Sequence, residues 1–200
     1  MPKRFDERYF DRWYRDPAFR IGTAADLERL VRFAVASAEY VLARPIRSVL
    51  DVGAGEGRWA PVISRLRPRA RYHGVDPSEY AVARYGHRRN IVRGTLDDLD
   101  ALFDGRTFDL VVCCSVLNYL PRAEMTRGIA ALARRTGGLA YLELYASSDD
   151  VMGDTAGWHS ESAATYRRIA RDAGLIPCGL SCYVPEALGD HLVALERADS

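Results

Sequence analysis

Lysine is nearly absent from this chain: Lys3 is the only one, so the other cationic residues among the 28 Lys+Arg are all arginines. Against 27 Asp+Glu they leave a net charge of +1, which excludes a whole-molecule field drawing the chain to nucleic acid or an anionic membrane. The densest basic stretch, Arg65, Arg67, Arg69 and Arg71, reads as a solvated connection between a helix and a strand. Long apolar runs are also missing: none reaches the roughly 18 residues that span a bilayer, and Met1–Glu7 lacks the apolar core of a secretion signal. These absences predict a soluble cytoplasmic protein. Cysteine is scarce, with Cys113, Cys114, Cys178 and Cys182 forming no framework of even spacing, no Cys-x-x-Cys pair and no Cys/His cluster. They read as small buried apolar residues, with Cys114 the one placed to touch a ligand, and no metal is expected.

What is present is apolar residue in quantity, 48%, enough for one domain with its own core. No repeat, linker or low-complexity tract divides the chain. The first 44 residues read as helical: an aromatic and charged stretch over Phe5–Arg15, then Ala24–Ala43 with apolar residues at the 3–4 spacing of an amphipathic helix, Thr23 or Asp26 as its cap and Pro45 as its stop. From Ser48 the texture changes to alternation. Strands are expected at Ser48–Val52, Arg71–Val75, Ile91–Arg93, Phe108–Cys114, Leu139–Tyr145, Ser181–Val184 and His191–Glu196. Helices are expected at Trp59–Leu66, Ser78–Arg88, Arg122–Thr136 and Glu161–Ala173. This alternation predicts a doubly wound, mostly parallel α/β sheet, with ligands at the carboxyl ends of its first strands.

The segment Val49–Gly57, VLDVGAGEG, lies where that rule places a ligand. Its glycines allow a sharp turn and close backbone approach. A dinucleotide fingerprint would set its third glycine at position 58, which is Arg58, whose bulk opposes tight helix–strand packing. Asp51 just before the turn repels a pyrophosphate and attracts an α-ammonium. No Gly-Lys-Ser/Thr follows, so the turn is not a P-loop, and the chain lacks the Tyr-x-x-x-Lys pair of many nicotinamide enzymes. At the tip of the second strand Asp76, 19 residues after Gly57, is placed to accept two hydrogen bonds from a ribose diol; alternatively it caps the helix behind Pro77.

In order and spacing, residues 48 to about 145 resemble the class I S-adenosylmethionine-dependent methyltransferases: VLDVGAGEG, YHGVDPSEYAVARYG, IVRGTLDDL, FDLVVCCSVLNYL and TGGLAYLEL. The resemblance implies a Rossmann-like seven-stranded sheet with the last strand antiparallel. It implies S-adenosylmethionine as cofactor, lined by Gly53, Ala54 and Gly55, with Asp51 at its methionine end and Asp76 and Pro77 at the ribose. Leu96 is then a packing or backbone contact and Asp97 an acceptor for the adenine amine. Ser115 and Asn118-Tyr119 fall near the transferred methyl, although Ser115 reads equally as a helix cap and Tyr119 as core.

His159, in the polar stretch Ser147–Ser160, is the leading base, with Glu143 and Tyr119 as further catalytic residues; Glu143 either faces the acceptor or pairs with an arginine. His73, His87 and His191 read as structural or solvated. A lid is expected from residues 1–44 over a core of 45–200, with Tyr9, Trp13 and Tyr14 as lid contacts, Tyr14 on the cofactor. The expected acceptor is a small molecule offering oxygen, nitrogen or carbon, without nucleic-acid or membrane partners, the chain being a monomer or homodimer. The competing readings are a protein or RNA methyltransferase and a nonenzymatic cofactor-binding protein.

Overall fold

A computed structural model describes residues 3–193 and 196–197. The N-terminal stretch forms a short helix α1 (Glu7–Phe10), capped by Asp6, which runs into a wider π-helical turn at Asp11–Arg15. Helix α2 (Ala24–Leu42) begins at Thr23, where the Thr23 side chain and the Asp26 carboxylate satisfy each other's backbone N–H groups. It ends on Ala43 in the left-handed region, φ +50°, two residues before Pro45.

Seven strands follow: β1 (Ser48–Val52), β2 (Arg71–Asp76), β3 (Ile91–Arg93), β4 (Phe108–Cys113), β5 (Thr136–Leu142), β6 (Leu175–Gly179) and β7 (Cys182–Pro185). Between them lie α3 (Trp59–Leu66), α4 (Glu79–Arg89), the short α5 (Leu99–Leu102), α6 (Arg122–Arg135) and α7 (Ala163–Asp172). They make one sheet in the order β3-β2-β1-β4-β5-β7-β6. Pairings from β3 through β5 are parallel, and β7 runs antiparallel to both β5 and β6. The doubly wound parallel part is that expected from the alternation, and the seven strands with an antiparallel last one are the Rossmann-like arrangement the resemblance implies.

Both faces of the sheet are buried, which is why its central strands read as unbroken apolar runs. Leu50, Val111, Ala140 and Leu142 pack with Leu99, Met125, Ile129 and Ile169 from α5, α6 and α7. Val49, Leu110, Val112 and Leu139 pack with Val31, Ala34, Val35, Trp59 and Ile63 from α2 and α3. The apolar face of α2 is therefore core. Of the expected lid 1–44, the described stretch before α2 and the first turns of α2, through Leu27 and Leu30, border the cavity at the carboxyl edge of the sheet.

Three elements differ from the periodicity. The helix expected to end at Thr136 gives way there directly to β5, because Thr136 pairs with Phe108 in the parallel ladder; β5 also stops at Leu142, short of Tyr145. Strand β6 was hidden by Pro177 and Gly179, residues that weaken any strand pattern, and it is sustained by pairing with β7. The strand expected at His191–Glu196 is not formed in the described part: Glu186–His191 is 3₁₀-helical, and residues 194–195 lie outside the described residues. Among the described residues, no helix is long and apolar enough to cross a membrane.

Candidate active site

A cavity of about 540 Å³ opens at the carboxyl ends of β2, β1, β4 and β5. Its floor is the turn after β1. There the N–H groups of Gly53 and Ala54 donate to the Val75 carbonyl (2.8 and 3.1 Å), and that of Gly57 donates to the Ala54 carbonyl (2.7 Å). The Gly55 N–H donates to Asp76 Oδ2 at 2.6 Å. These N–H groups are thus engaged within the protein and form no cradle for a pyrophosphate, which a dinucleotide turn must offer. Gly53 (φ +74°) and Gly55 (φ +53°) need the left-handed region, and a Cβ on Gly53 would lie 2.1 Å from Val116 Cγ2.

Asp76 is buried, and Asp76 Oδ1 also accepts from the Ser78 N–H at 2.8 Å. It therefore acts both as a turn cap and as a clip on the glycine loop. Each carboxylate oxygen keeps a further lone pair for a ligand. Burial raises its pKa, against the two backbone hydrogen bonds. Asp51 is 3% exposed and accepts from the Tyr72 hydroxyl at 2.6 Å. Burial pushes its carboxyl up to about 7, the Tyr72 hydrogen bond pulling down and the nearby Asp76 charge pushing further up.

The roof comes from two segments. Phe5, Tyr9, Phe10, Trp13 and Tyr14 face the cavity from the N-terminal side. Phe10, 2% exposed, stacks on Tyr80 (centroids 5.7 Å apart), and Ser78 Oγ donates to the Phe5 carbonyl at 2.6 Å. Opposite them, Val151, Met152, Asp154 and Trp158 line the cavity from the loop between β5 and α7. Lys3 joins the two segments through an ion pair with Asp154, its Nζ lying 4.0 Å from the centroid of Tyr119. Tyr119 in turn donates its hydroxyl to the Asp154 carbonyl at 2.7 Å.

At the far end Ser115 follows β4 in the left-handed region, φ +54°, a conformation unusual outside glycine. Its hydroxyl donates to Glu143 Oε2 at 2.6 Å. Glu143 thus meets a serine, not the arginine weighed as its partner. Cys114 lines the cavity too, and burial raises its thiol well above the ordinary range, leaving it protonated and inert.

The expected cofactor residues Asp51, Gly53, Ala54, Gly55, Asp76 and Pro77 all border this one cavity. So do Leu96, Asp97, Ser115 and Tyr14, together with the catalytic candidates Glu143 and Tyr119. His159 does not: its side chain is exposed and its N–H is engaged with the Asn118 carbonyl at 2.7 Å. His159 thus stands outside the cavity wall on which the other candidates meet. Its neighbour Trp158 lines the cavity instead. Trp158, Tyr145, Asp154, Arg58 and Phe10 escaped the sequence reading; only the aromatic density of Tyr9–Tyr14 hinted at one of them. Two arginines of the basic cluster are paired, Arg67 with Glu39 and Arg65 with Glu28, while Arg69 and Arg71 are exposed. Among the described residues, no group of His, Cys, Asp and Glu is arranged to hold a metal.

Residues 50–139 match the family model described as a methyltransferase domain. No curated protein matches the sequence significantly. Among solved structures, magnesium protoporphyrin IX methyltransferase from Synechocystis PCC 6803, with bound S-adenosylhomocysteine, superposes with a TM-score of 0.62 at 20% identity, covering 86% of each chain. An amino pentose methyltransferase of calicheamicin biosynthesis from Micromonospora echinaspora, bound to S-adenosylmethionine, gives 0.56 at 20% identity, covering 80% of this chain and 88% of that one. A complex of the Haloferax volcanii Trm112 methyltransferase activator and a methyltransferase contains a chain matching at 0.52 and 25% identity, over 76% of this chain and 72% of that one. Residues 50–139 thus match a methyltransferase domain. The Rossmann-like sheet in which they sit is the fold of these solved methyltransferases, two of them holding S-adenosylmethionine or S-adenosylhomocysteine, and the chain is consistent with a class I S-adenosylmethionine-dependent methyltransferase.

Proposed function

We propose that the protein methylates a small-molecule acceptor held inside the cavity, with S-adenosylmethionine as methyl donor. The observation that carries this reading is the continuity of one covered cavity from the glycine loop to Glu143. Its volume of about 540 Å³ lies within the roughly 300–1,000 Å³ of small-molecule sites. A protein or RNA acceptor requires an open groove, and the roof over the cavity does not offer one.

The residues present suit the cofactor. The spare lone pairs of Asp76 match the two hydroxyls of a ribose, and Asp51 is positioned as counter-charge to an α-ammonium. Gly53 and Gly55 make the left-handed turn that lets Val116, Tyr14 and Phe10 approach the loop closely, while Ala54 and Pro77 supply packing surfaces. Leu96 and Asp97 would meet the adenine, and Tyr14 closes over Gly55. When bound, the cofactor supplies a methyl carbon already activated by its sulfonium, so the protein's task is alignment and exclusion of water. The N-terminal segment and the 151–158 loop exclude water. Ser115, Tyr119 and Glu143 border the space left for the acceptor.

Calorimetry with S-adenosylhomocysteine and with NAD tests the cofactor assignment, and mass-spectrometric detection of methyl transfer to a metabolite panel tests the acceptor class. Micromolar binding of S-adenosylhomocysteine and none of NAD is expected. Binding of NAD alone overturns the reading.

A further inference from the structure

We infer that the acceptor is an amine, and that Glu143 with the aromatic wall beside it is the site that recognises its nitrogen. The inference rests on the proposed cofactor placement and deepens it.

The strand order sets the two ends of the cavity. Asp76 ends β2, the glycine loop ends β1, Ser115 follows β4 and Glu143 follows β5. At the roughly 4.8 Å spacing of neighbouring strands, Glu143 stands about 10 Å beyond the glycine loop, past the methionine end of the cofactor. Arg58 is the guanidinium that borders the cavity, and it sits at the opposite, glycine-loop end, 5.1 Å from the centroid of Tyr14. The other carboxylates are accounted for: Asp51 and Asp76 face the cofactor, Asp154 is paired with Lys3, and Asp97 and Glu124 are exposed at the rim. Glu143, half-buried, has no cationic partner among the described residues; it holds only the Ser115 hydroxyl and faces the hydroxyl of Tyr145.

The wall beside it is aromatic. Tyr145 stacks on Trp158 with centroids 5.5 Å apart, and Tyr119 meets Trp158 edge-on at 5.8 Å. Such rings stabilise a cation, most strongly when it is removed from water. The chain itself shows the chemistry next door. Its one ammonium, Lys3, is held between a carboxylate, Asp154, and the face of Tyr119. Glu143 with Tyr145 and Trp158 repeats that pairing with no cation supplied by the chain.

Transfer chemistry favours the same acceptor. The bound ammonium first gives one proton to water; the freed lone pair then forms the N–C bond as the C–S bond breaks with its electrons left on sulfur. Positive charge returns to nitrogen as the bond forms, and a carboxylate there stabilises that charge relative to the neutral amine. A phenolate or carboxylate acceptor would instead be repelled by Glu143.

The test uses three probes of similar shape, 2-phenylethylamine, 2-phenylethanol and phenylacetate, titrated calorimetrically into the full-length protein saturated with S-adenosylhomocysteine. The amine is expected to bind at least tenfold more tightly than the alcohol, with phenylacetate weakest. Glu143→Gln should remove that preference, the amine losing at least tenfold more affinity than the alcohol. Equal or tighter binding of the alcohol or phenylacetate by the wild-type protein overturns the proposal, and that comparison does not depend on the variant folding. A preference that survives in a folded Glu143→Gln protein overturns the role of Glu143. Failure of the protein to bind S-adenosylhomocysteine at all is a separate result, which removes the cofactor reading and this inference with it.

Discussion

Asp76 Oδ2 accepts the Gly55 N–H at 2.6 Å, so the acid at the tip of β2 and the glycine turn after β1 form one hydrogen-bonded unit. Two segments 21 residues apart thereby share a ligand surface. Asp76→Ala removes both the loop clip and the acceptor for a diol. Loss of hydrogen bonds to a charged group costs on the order of 1.5–3 kcal/mol, so S-adenosylhomocysteine affinity should fall roughly 10- to 150-fold. Calorimetry on the variant checks this, with Ser78→Ala as control: that change removes the α4 cap and the Phe5 contact but leaves the diol acceptor. Comparable losses in the two variants would make Asp76 merely structural.

Asp51 couples binding to pH. Burial pushes its carboxyl up to about 7, so below that pH the free protein carries a proton there. A ligand presenting an α-ammonium favours the anion, so binding must expel this proton. Affinity for S-adenosylhomocysteine should be full above pH 7 and fall by up to tenfold per unit below it. Calorimetry at pH 6 in buffers of different ionisation heat should show proton release on binding, and Asp51→Asn should abolish it. A pH-independent affinity between 6 and 8 counts against the placement.

Deletion of residues 1–20 should weaken cofactor binding at least tenfold while lowering the melting temperature only modestly. Among the described residues of that segment Phe10 is the one fully buried in a hydrophobic contact, whereas five of its aromatics line the cavity roof. Unchanged affinity for S-adenosylhomocysteine in the truncated protein would show that the roof contributes packing alone.

Gly53→Ala should abolish detectable cofactor binding. Its added Cβ meets Val116 Cγ2, and the residue needs φ +74°. Pairing it with Val116→Ala relieves the clash but not the backbone strain, so the double variant should recover only part of the affinity. Full recovery would assign the whole effect to Val116.

Most of the α/β alternation was legible because burial on both faces leaves uninterrupted apolar strands, and the capping pair Thr23–Asp26 marked the start of α2. β6 was not legible, since Pro177 and Gly179 carry no strand signal and only the β7 partner sustains it. The start of β5 at Thr136 was missed for a similar reason: the ladder to Phe108 decides it.

For the site, the sequence by itself singled out the glycine-loop end of the cavity. Gly53, Gly55 and Asp76 lie within or next to strands, where short-range geometry fixes which way each residue faces. Tertiary structure alone decided how the opposite wall is assembled. Whether His159 or Trp158 faces inward depends on the path of a loop, and the pairing of Lys3 with Asp154 spans 151 positions that no local pattern relates. The contact between Ser115 and Glu143 likewise exists only because β4 and β5 lie side by side. Local chemistry names the residues that turn a chain, but a pocket wall is drawn from segments that meet only when the sheet has formed.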